Sequence, residues 1–398
     1  MTQLTSTSNI FQQYRVLFRE KFKEGLRPDS QRKPIEDGLA KYLVQSLIDA
    51  GVPKDGLIGV FDSFLILCTH LKEAGFTNLV LLESSQKGIK LTRKQKEYYN
   101  WVKTICEKSK IKYYTIPNNS INRCKMNFSA ALGNPAYTGQ LHLQFLSGLL
   151  KKSEVVRLVH PSGWLTRNGK KEEKEVKNDL KGRLSKLTLF TGICKFPTAQ
   201  FQCPLVITEA DKYNDGKIEV FYENSGNTYF IDSLDDFPTG YWEPTPVNRQ
   251  LKELYTQEAN KSNLLSLRTC DGSKVPLNLP TVCGDFRSTD PKQLARNDTY
   301  LFYYPNSKIY THENNEGKFY SLNSEEEREN LLSYLKTKFA RFALALNKAT
   351  NRNNVSRYIA NTPLPPLDRE WTEESIMDYY RLTQDQRDSI NLFLPDYY

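Results

Sequence analysis

Apolar and polar positions alternate between two periods along the first half of the chain. Over residues 35–51, Leu39, Leu43 and Leu47 recur every four positions and Gly51 closes the run, which predicts an amphipathic helix. The short apolar run 57–61 predicts a buried strand, 64–74 a helix ending at Gly75, and 79–82 a second strand finishing on Glu83. A helix over 91–106, strands over 112–116 and 128–132, a helix over 138–150, a strand over 154–160 and a charged helix over 172–186 follow. This alternation predicts an α/β fold. Its crossovers call for parallel strands covered on both faces, with ligands received at the carboxyl ends of the strands.

Beyond Gly192 the pattern changes. Residues 196–208 suggest a strand pair, and 213–321 are rich in Asn, Asp, Gly, Pro and Tyr with only short strand-like runs. A boundary at 211–217 therefore divides the chain into residues 1–212 and 213–398. Helical order returns with Ser324-Glu325-Glu326-Glu327, a capping box. Behind it Leu331, Leu335, Phe339, Phe342 and Leu346 repeat at helical spacing and predict one long helix, with Lys336, Lys338, Arg341 and Lys348 on its other faces. A Pro-rich stretch at 362–366 leads to short capped segments at Thr372 and at 383–386.

Composition narrows the class. With 398 residues, 39% hydrophobic and 25% charged, the chain is globular and long enough for two domains, and a disordered tail protein is excluded. Lys and Arg number 55 against 46 acids, a net charge of +9 that suits a polyanion, and 23 Tyr with 20 Phe supply rings for base stacking as well as for a core. The seven cysteines form no CxxC pair and the four histidines are scattered, so reduced thiols are expected and neither a disulfide framework nor a metal cluster is visible. No apolar run approaches a membrane span and the N-terminus lacks a signal-peptide core, which predicts a cytoplasmic protein without a membrane partner.

The most informative tetrapeptide is Asn134-Pro135-Ala136-Tyr137, directly after the predicted strand 128–132 and Gly133. It suits methyl transfer to the exocyclic amine of a base, whose nitrogen lone pair is delocalised into the ring. The side-chain carbonyl of Asn134 and the main-chain carbonyl of Pro135 could each accept one amine hydrogen and localise that pair. Proline fixes the backbone and aims its carbonyl, and Tyr137 offers a flat ring for a base extruded from a duplex.

Leu132-Gly133-Asn134-Pro135-Ala136-Tyr137 resembles the Asn-Pro-Pro-Tyr motif of amino-methylating DNA methyltransferases, with alanine for the second proline. Leu158-Val159-His160-Pro161-Ser162-Gly163-Trp164-Leu165 resembles the strand and turn after that family's catalytic loop, and 196–208 the hairpin that adds a second aromatic to the base pocket. The C-terminal run from LLSYLKTKFARFALALNKAT to REWTEESIMDYYRLTQDQRDSI resembles the tail of single-chain restriction–modification adenine methylases. The likeness spans about 127–390. It implies a class I methyltransferase domain with a mixed sheet, followed by an α+β target-recognition domain, and S-adenosylmethionine-dependent methylation of adenine N6 in double-stranded DNA. It also implies that Asn134 and Pro135 hold the amine, Tyr137 stacks, and Phe201, or else Phe196, covers the opposite face of the base. In-line transfer from a sulfonium needs positioning rather than a metal.

The departure from the family lies upstream. A glycine-rich turn normally follows the first strand, letting the donor approach the backbone; here the turn reads Val60-Phe61-Asp62-Ser63-Phe64-Leu65. Asp62 and Glu83 stand where cofactor-binding acids belong, Glu83 being suited to ribose hydroxyls. The next expected acidic position falls at Asn118-Asn119, and Phe64 could fill the cofactor pocket. These features keep open an alternative of another class, a catalytically silent methyltransferase fold that binds DNA or a protein. Pro28-Asp29 and Glu172-Glu173-Lys174 could mimic nuclease acids but read as solvated surface.

Overall fold

The structure, a computed structural model, describes residues 35–62, 65–84, 93–116, 120–135, 137, 140–166, 170–190, 205–223, 225–238, 242–263, 268–271, 281–285, 301–303, 318–321, 324–346 and 362–393. The chain forms two compact units, of which the first ends at Asp236 and the second has Phe237–Tyr398 as its main body.

The first unit is built on a nine-stranded sheet. Its strands are β1 (Ile58–Phe61), β2 (Leu79–Ser84), β3 (Lys112–Ile116), β4 (Phe128–Gly133), β5 (Ser153–Pro161), β6 (Leu184–Phe190), β7 (Leu205–Ala210), β8 (Ile218–Tyr222) and β9 (Asn227–Ile231). Their order is β3-β2-β1-β4-β5-β7-β6-β8-β9. The first five run parallel, while β7 is antiparallel to both β5 and β6. This is the doubly wound order 3-2-1-4-5 with one reversed strand inserted before β6. The sheet is therefore mixed, as the class I methyltransferase fold requires. Helix α1 (Asp37–Asp49) precedes β1, and α2 (Ile66–Glu73), α3 (Arg93–Lys108), α4 (Leu141–Leu150) and α5 (Lys171–Leu180) make crossovers between strands. Every residue of β1 and β2 is buried, which explains why these strands read as unbroken apolar runs rather than alternations.

Helix α1 is tied to the sheet by a buried polar network. Arg157 pairs with Glu209 at 3.1 Å and Asp211 at 2.6 Å and donates to the Ser46 hydroxyl at 2.5 Å. Ser46 and Tyr42 of α1 in turn donate to the two Glu209 oxygens, at 2.6 and 2.5 Å.

The predicted charged helix over 172–186 is corrected: α5 ends at Leu180 and β6 begins at Leu184. Gly182, in the left-handed region at φ +69°, turns the chain between them. Strands β8 and β9 extend the first sheet past residue 213.

In the second unit, α6 (Pro246–Lys261) lies inside the stretch that reads as short strands. Its start does carry a sequence signal, since Thr245 accepts from the Asn248 N–H at 3.0 Å and Pro246 follows at the first helical position. A four-stranded antiparallel sheet joins β10 (Arg268–Asp271), β11 (Thr281–Asp285), β12 (Leu301–Tyr303) and β13 (Lys318–Ser321). The single long helix predicted over the Leu331–Leu346 repeat is two, α7 (Glu325–Lys336) and α8 (Lys338–Ala345). Thr337 breaks it in extended conformation: its hydroxyl donates to the Tyr334 carbonyl at 2.6 Å and accepts from the Ala340 N–H at 3.2 Å. The Glu373 carboxylate accepts the Lys338 N–H at 2.7 Å and so caps α8 from outside.

Ser324 accepts from the Glu327 N–H as its capping motif predicts, and α9 (Glu373–Tyr379) and α10 (Gln384–Phe393) follow the capped segments read at Thr372 and 383–386. Arg341, expected on an outward face, is fully buried in the apolar cluster that includes Leu331, Phe339, Phe342, Trp371 and Ile390. No helix among the described residues is long and apolar enough to cross a membrane, and among them no group of three His, Cys, Asp or Glu is placed to hold a metal.

Candidate active site

Strand register brings the sequence-predicted residues together. Val60 pairs with Leu81 and Phe61 with Gly133, so continuing the register two steps past the first pair and one past the second brings Asp62 level with Glu83 on one side and Asn134 on the other. Gly133 pairs with Leu158, which sets Val159 on that level too. Glu83, Asp62, Asn134 and Val159 thus form one row across the carboxyl edge of β2, β1, β4 and β5. At the usual strand spacing, the row places Glu83 and Asn134 about 10 Å apart.

Gly133 makes the approach of Asn134 possible. Its φ is +134°, and a Cβ there would lie 2.1 Å from the Phe61 carbonyl oxygen. Only glycine allows β4 to leave the sheet this close to β1. The Asn134 N–H then donates to the same Phe61 carbonyl at 3.0 Å, holding the start of the loop on β1. Pro135 is buried, whereas Asn134 and Tyr137 are half-buried. The Tyr137 hydroxyl donates to the Asn134 side-chain oxygen, and it also lies 3.1 Å from the Val159 carbonyl as a second acceptor.

The turn after β1 is built otherwise. Asp62 is buried and its Oδ2 accepts the Cys68 N–H at 3.1 Å, serving the third residue of α2 as a cap that Leu65, at the N-cap position, does not supply. Leu65 takes a left-handed conformation, φ 57° and ψ 18°, which is glycine's usual place. Glu83 is buried, and its Oε1 accepts the Ser84 N–H at 3.1 Å. Burial and the charge of Asp62 push the Cys68 thiol up, and burial with Asp62, Glu83 and Glu107 pushes Cys106 up to about 12, so both remain thiols. Phe64, Ala136, Asn118, Asn119, Phe196 and Phe201 lie outside the described residues.

Behind Tyr137 runs a column of rings that the sequence reading missed. His142, in the first turn of α4, meets Tyr137 edge-on, with centroids 6.1 Å apart and planes at 76°. His160 of β5 is tilted against His142 at 5.6 Å, and Trp164 stacks on His160 at 5.7 Å with planes 13° apart. His160 Nε2 and the Thr208 hydroxyl of β7 are hydrogen-bond partners at 2.8 Å. Burial pushes His142 down to about 3, helped by the charge of Lys170, and burial beside His142 pushes His160 well down, so both are neutral near pH 7. The one signal in the sequence is a histidine on the buried side of an otherwise apolar helix, LHLQFLSGLL.

No family model matches the chain, and no curated relative matches it. Among solved structures, it is similar to a type I restriction-modification methyltransferase subunit from Streptococcus thermophilus, with 12% identity over 58% of this chain and 55% of that one, at a TM-score of 0.38. It is similar to the type IIG restriction endonuclease BpuSI with 13% identity over 94% of this chain and 63% of that one, TM-score 0.41. A putative RNA methyltransferase from Pyrococcus horikoshii aligns with 12% identity over 51% of this chain and all of its own length, TM-score 0.35. The chain spans little more than half the length of the Streptococcus subunit and under two thirds of the endonuclease. The fold class rests on strand order and direction, not on these likenesses.

Proposed function

We propose that this chain is an S-adenosylmethionine-dependent methyltransferase acting on adenine N6 in double-stranded DNA after the base has swung out of the helix. The observation that carries this reading is the row of Glu83, Asp62 and Asn134 at one level of the sheet edge. In it, Asn134 Oδ1 and the Pro135 carbonyl accept the two amine hydrogens, and the Tyr137 ring supports the base. The residues present fit the donor: Glu83, at the end of β2, accepts from ribose hydroxyls, and Asp62 holds the turn beside it through the Cys68 N–H. When bound, the donor supplies an activated methyl group on a sulfonium. The Tyr137 hydroxyl, which occupies Asn134 Oδ1 in the free protein, has the Val159 carbonyl as its alternative acceptor when the amine arrives. The resemblance assigns the opposite face of the base to Phe201 or Phe196, the second unit from Phe237 onward carries target recognition, and the net charge of +9 favours the DNA backbone.

Incubating the full chain with methyl-labelled donor and duplex DNA tests this. Label is expected in N6-methyladenine, and Asn134→Ala is expected to reduce the rate roughly 100- to 1,000-fold while donor binding by calorimetry persists. Absence of both label and donor binding overturns it. Leu65 in a left-handed conformation within a glycine-free turn favours a second reading, a silent fold that binds DNA without donor. Under that reading Asn134→Ala leaves DNA binding unchanged.

A further inference from the structure

We propose that His142 is a positioning residue: backed by His160 and Trp164, its ring fixes the plane of Tyr137 for stacking on the swung-out base. The inference rests on the methyl-transfer reading. A hydroxyl tether alone cannot orient a tyrosine, because the ring still rotates about the axis from Cβ to the phenol oxygen. Tyr137 is tethered in just this way, its hydroxyl held at Asn134 and Val159. What sets the rotation is the edge-on contact with His142, at 6.1 Å and 76°.

His142 is itself held in place by rings from a second element and the turn after it. His160 lies against it at 5.6 Å, Trp164 is stacked behind His160, and the Thr208 hydroxyl fixes the His160 ring at 2.8 Å. The column therefore ties the catalytic loop to α4, β5 and β7 at once. The buried His142 Nδ1 has no hydrogen-bond partner among the described residues. What the site uses is the flat ring, whose polarised edge makes a stronger edge-to-face contact than an aliphatic side chain of equal volume.

The test places 3-fluorotyrosine at position 137 of the full chain and compares His142→Leu with His142→Phe. In His142→Leu the fluorine resonance is expected to shift and broaden, and kcat/KM for duplex DNA to fall about tenfold or more with donor affinity unchanged. In His142→Phe the resonance is expected to stay sharp and kcat/KM to remain within about threefold, because a flat ring is restored. A His142→Leu resonance indistinguishable from the unsubstituted protein overturns the proposal, and so does a His142→Phe variant as broadened as His142→Leu. If the unsubstituted chain does not methylate DNA, the methyl-transfer reading fails and takes the stacking role with it, while the fluorine comparison separately decides whether His142 orients the ring.

Discussion

Two strand exits stand side by side at the carboxyl edge of the sheet and solve the same problem in opposite ways. At the end of β4, Gly133 takes a backbone conformation and a closeness to Phe61 that no other residue tolerates, and the Asn134-Pro135 pair follows it directly. At the end of β1, where the amino-methylating family places glycine, the left-handed position belongs to Leu65, buried at 5% exposure, and Asp62 is committed to capping α2. The β4 exit has the backbone freedom that lets Asn134 and Pro135 leave the sheet close against β1. The β1 exit has exchanged that freedom for helix capping and apolar packing.

Breaking the β4 exit should cost most. Gly133→Ala places a Cβ 2.1 Å from the Phe61 oxygen and forces a disallowed φ, so a loss of about 3 kcal/mol or more in unfolding free energy is expected by denaturant titration. A smaller effect comes from the ring column behind that exit. His142 titrates at about 3 in the native state against 6.5 as its ordinary value, so between these values the unfolded chain binds a proton that the native one refuses. Stability is therefore full above 6.5 and declines as pH falls toward 3. By about pH 5 this histidine alone contributes a loss of about 2 kcal/mol, measurable as a pH-dependent melting temperature whose slope His142→Phe reduces, the contribution of buried His160 remaining. At the β1 exit, Asp62→Ala removes the acceptor of the Cys68 N–H and should lower stability by about 1 kcal/mol, leaving the β4 loop intact by the fluorine signal of position 137. Smallest is Tyr137→Phe, which keeps the ring and loses one hydroxyl tether, for about 0.5 kcal/mol in the same titration.

Strand positions were legible where a short run of apolar or strand-favouring residues lies between breakers: 112–116 is read without error although only Ile116 of it is buried, and 128–132 differs from β4 by one residue. The reading failed where a single residue overrode a period. Leucines at helical spacing pass straight through Thr337, but the hydroxyl of Thr337 and the carboxylate of Glu373, distant in sequence, cap a new helix there. Arg341 is likewise polar in sequence yet buried in the fold, since helical period alone cannot tell which face a broken helix turns inward. Of the candidate site, Asn134, Pro135 and Tyr137 are proposed from local chemistry, and Asp62 and Glu83 from their place after strands. His142, His160 and Trp164 were not joined, because their meeting depends on a helix start, a strand end and a turn converging in space.

Taken alone, the amino-acid order determined the α/β alternation, the strand that carries the Asn134 loop and the acids that end its neighbours, all of them local consequences of apolar period and breaker residues. Tertiary structure decided that Glu83, Asp62 and Asn134 share one level, that β7 reverses between β5 and β6, and that rings from α4, β5 and the turn after it stand behind Tyr137. Register between strands distant in sequence is set by packing and hydrogen bonding across the whole sheet, so no window along the chain contains it.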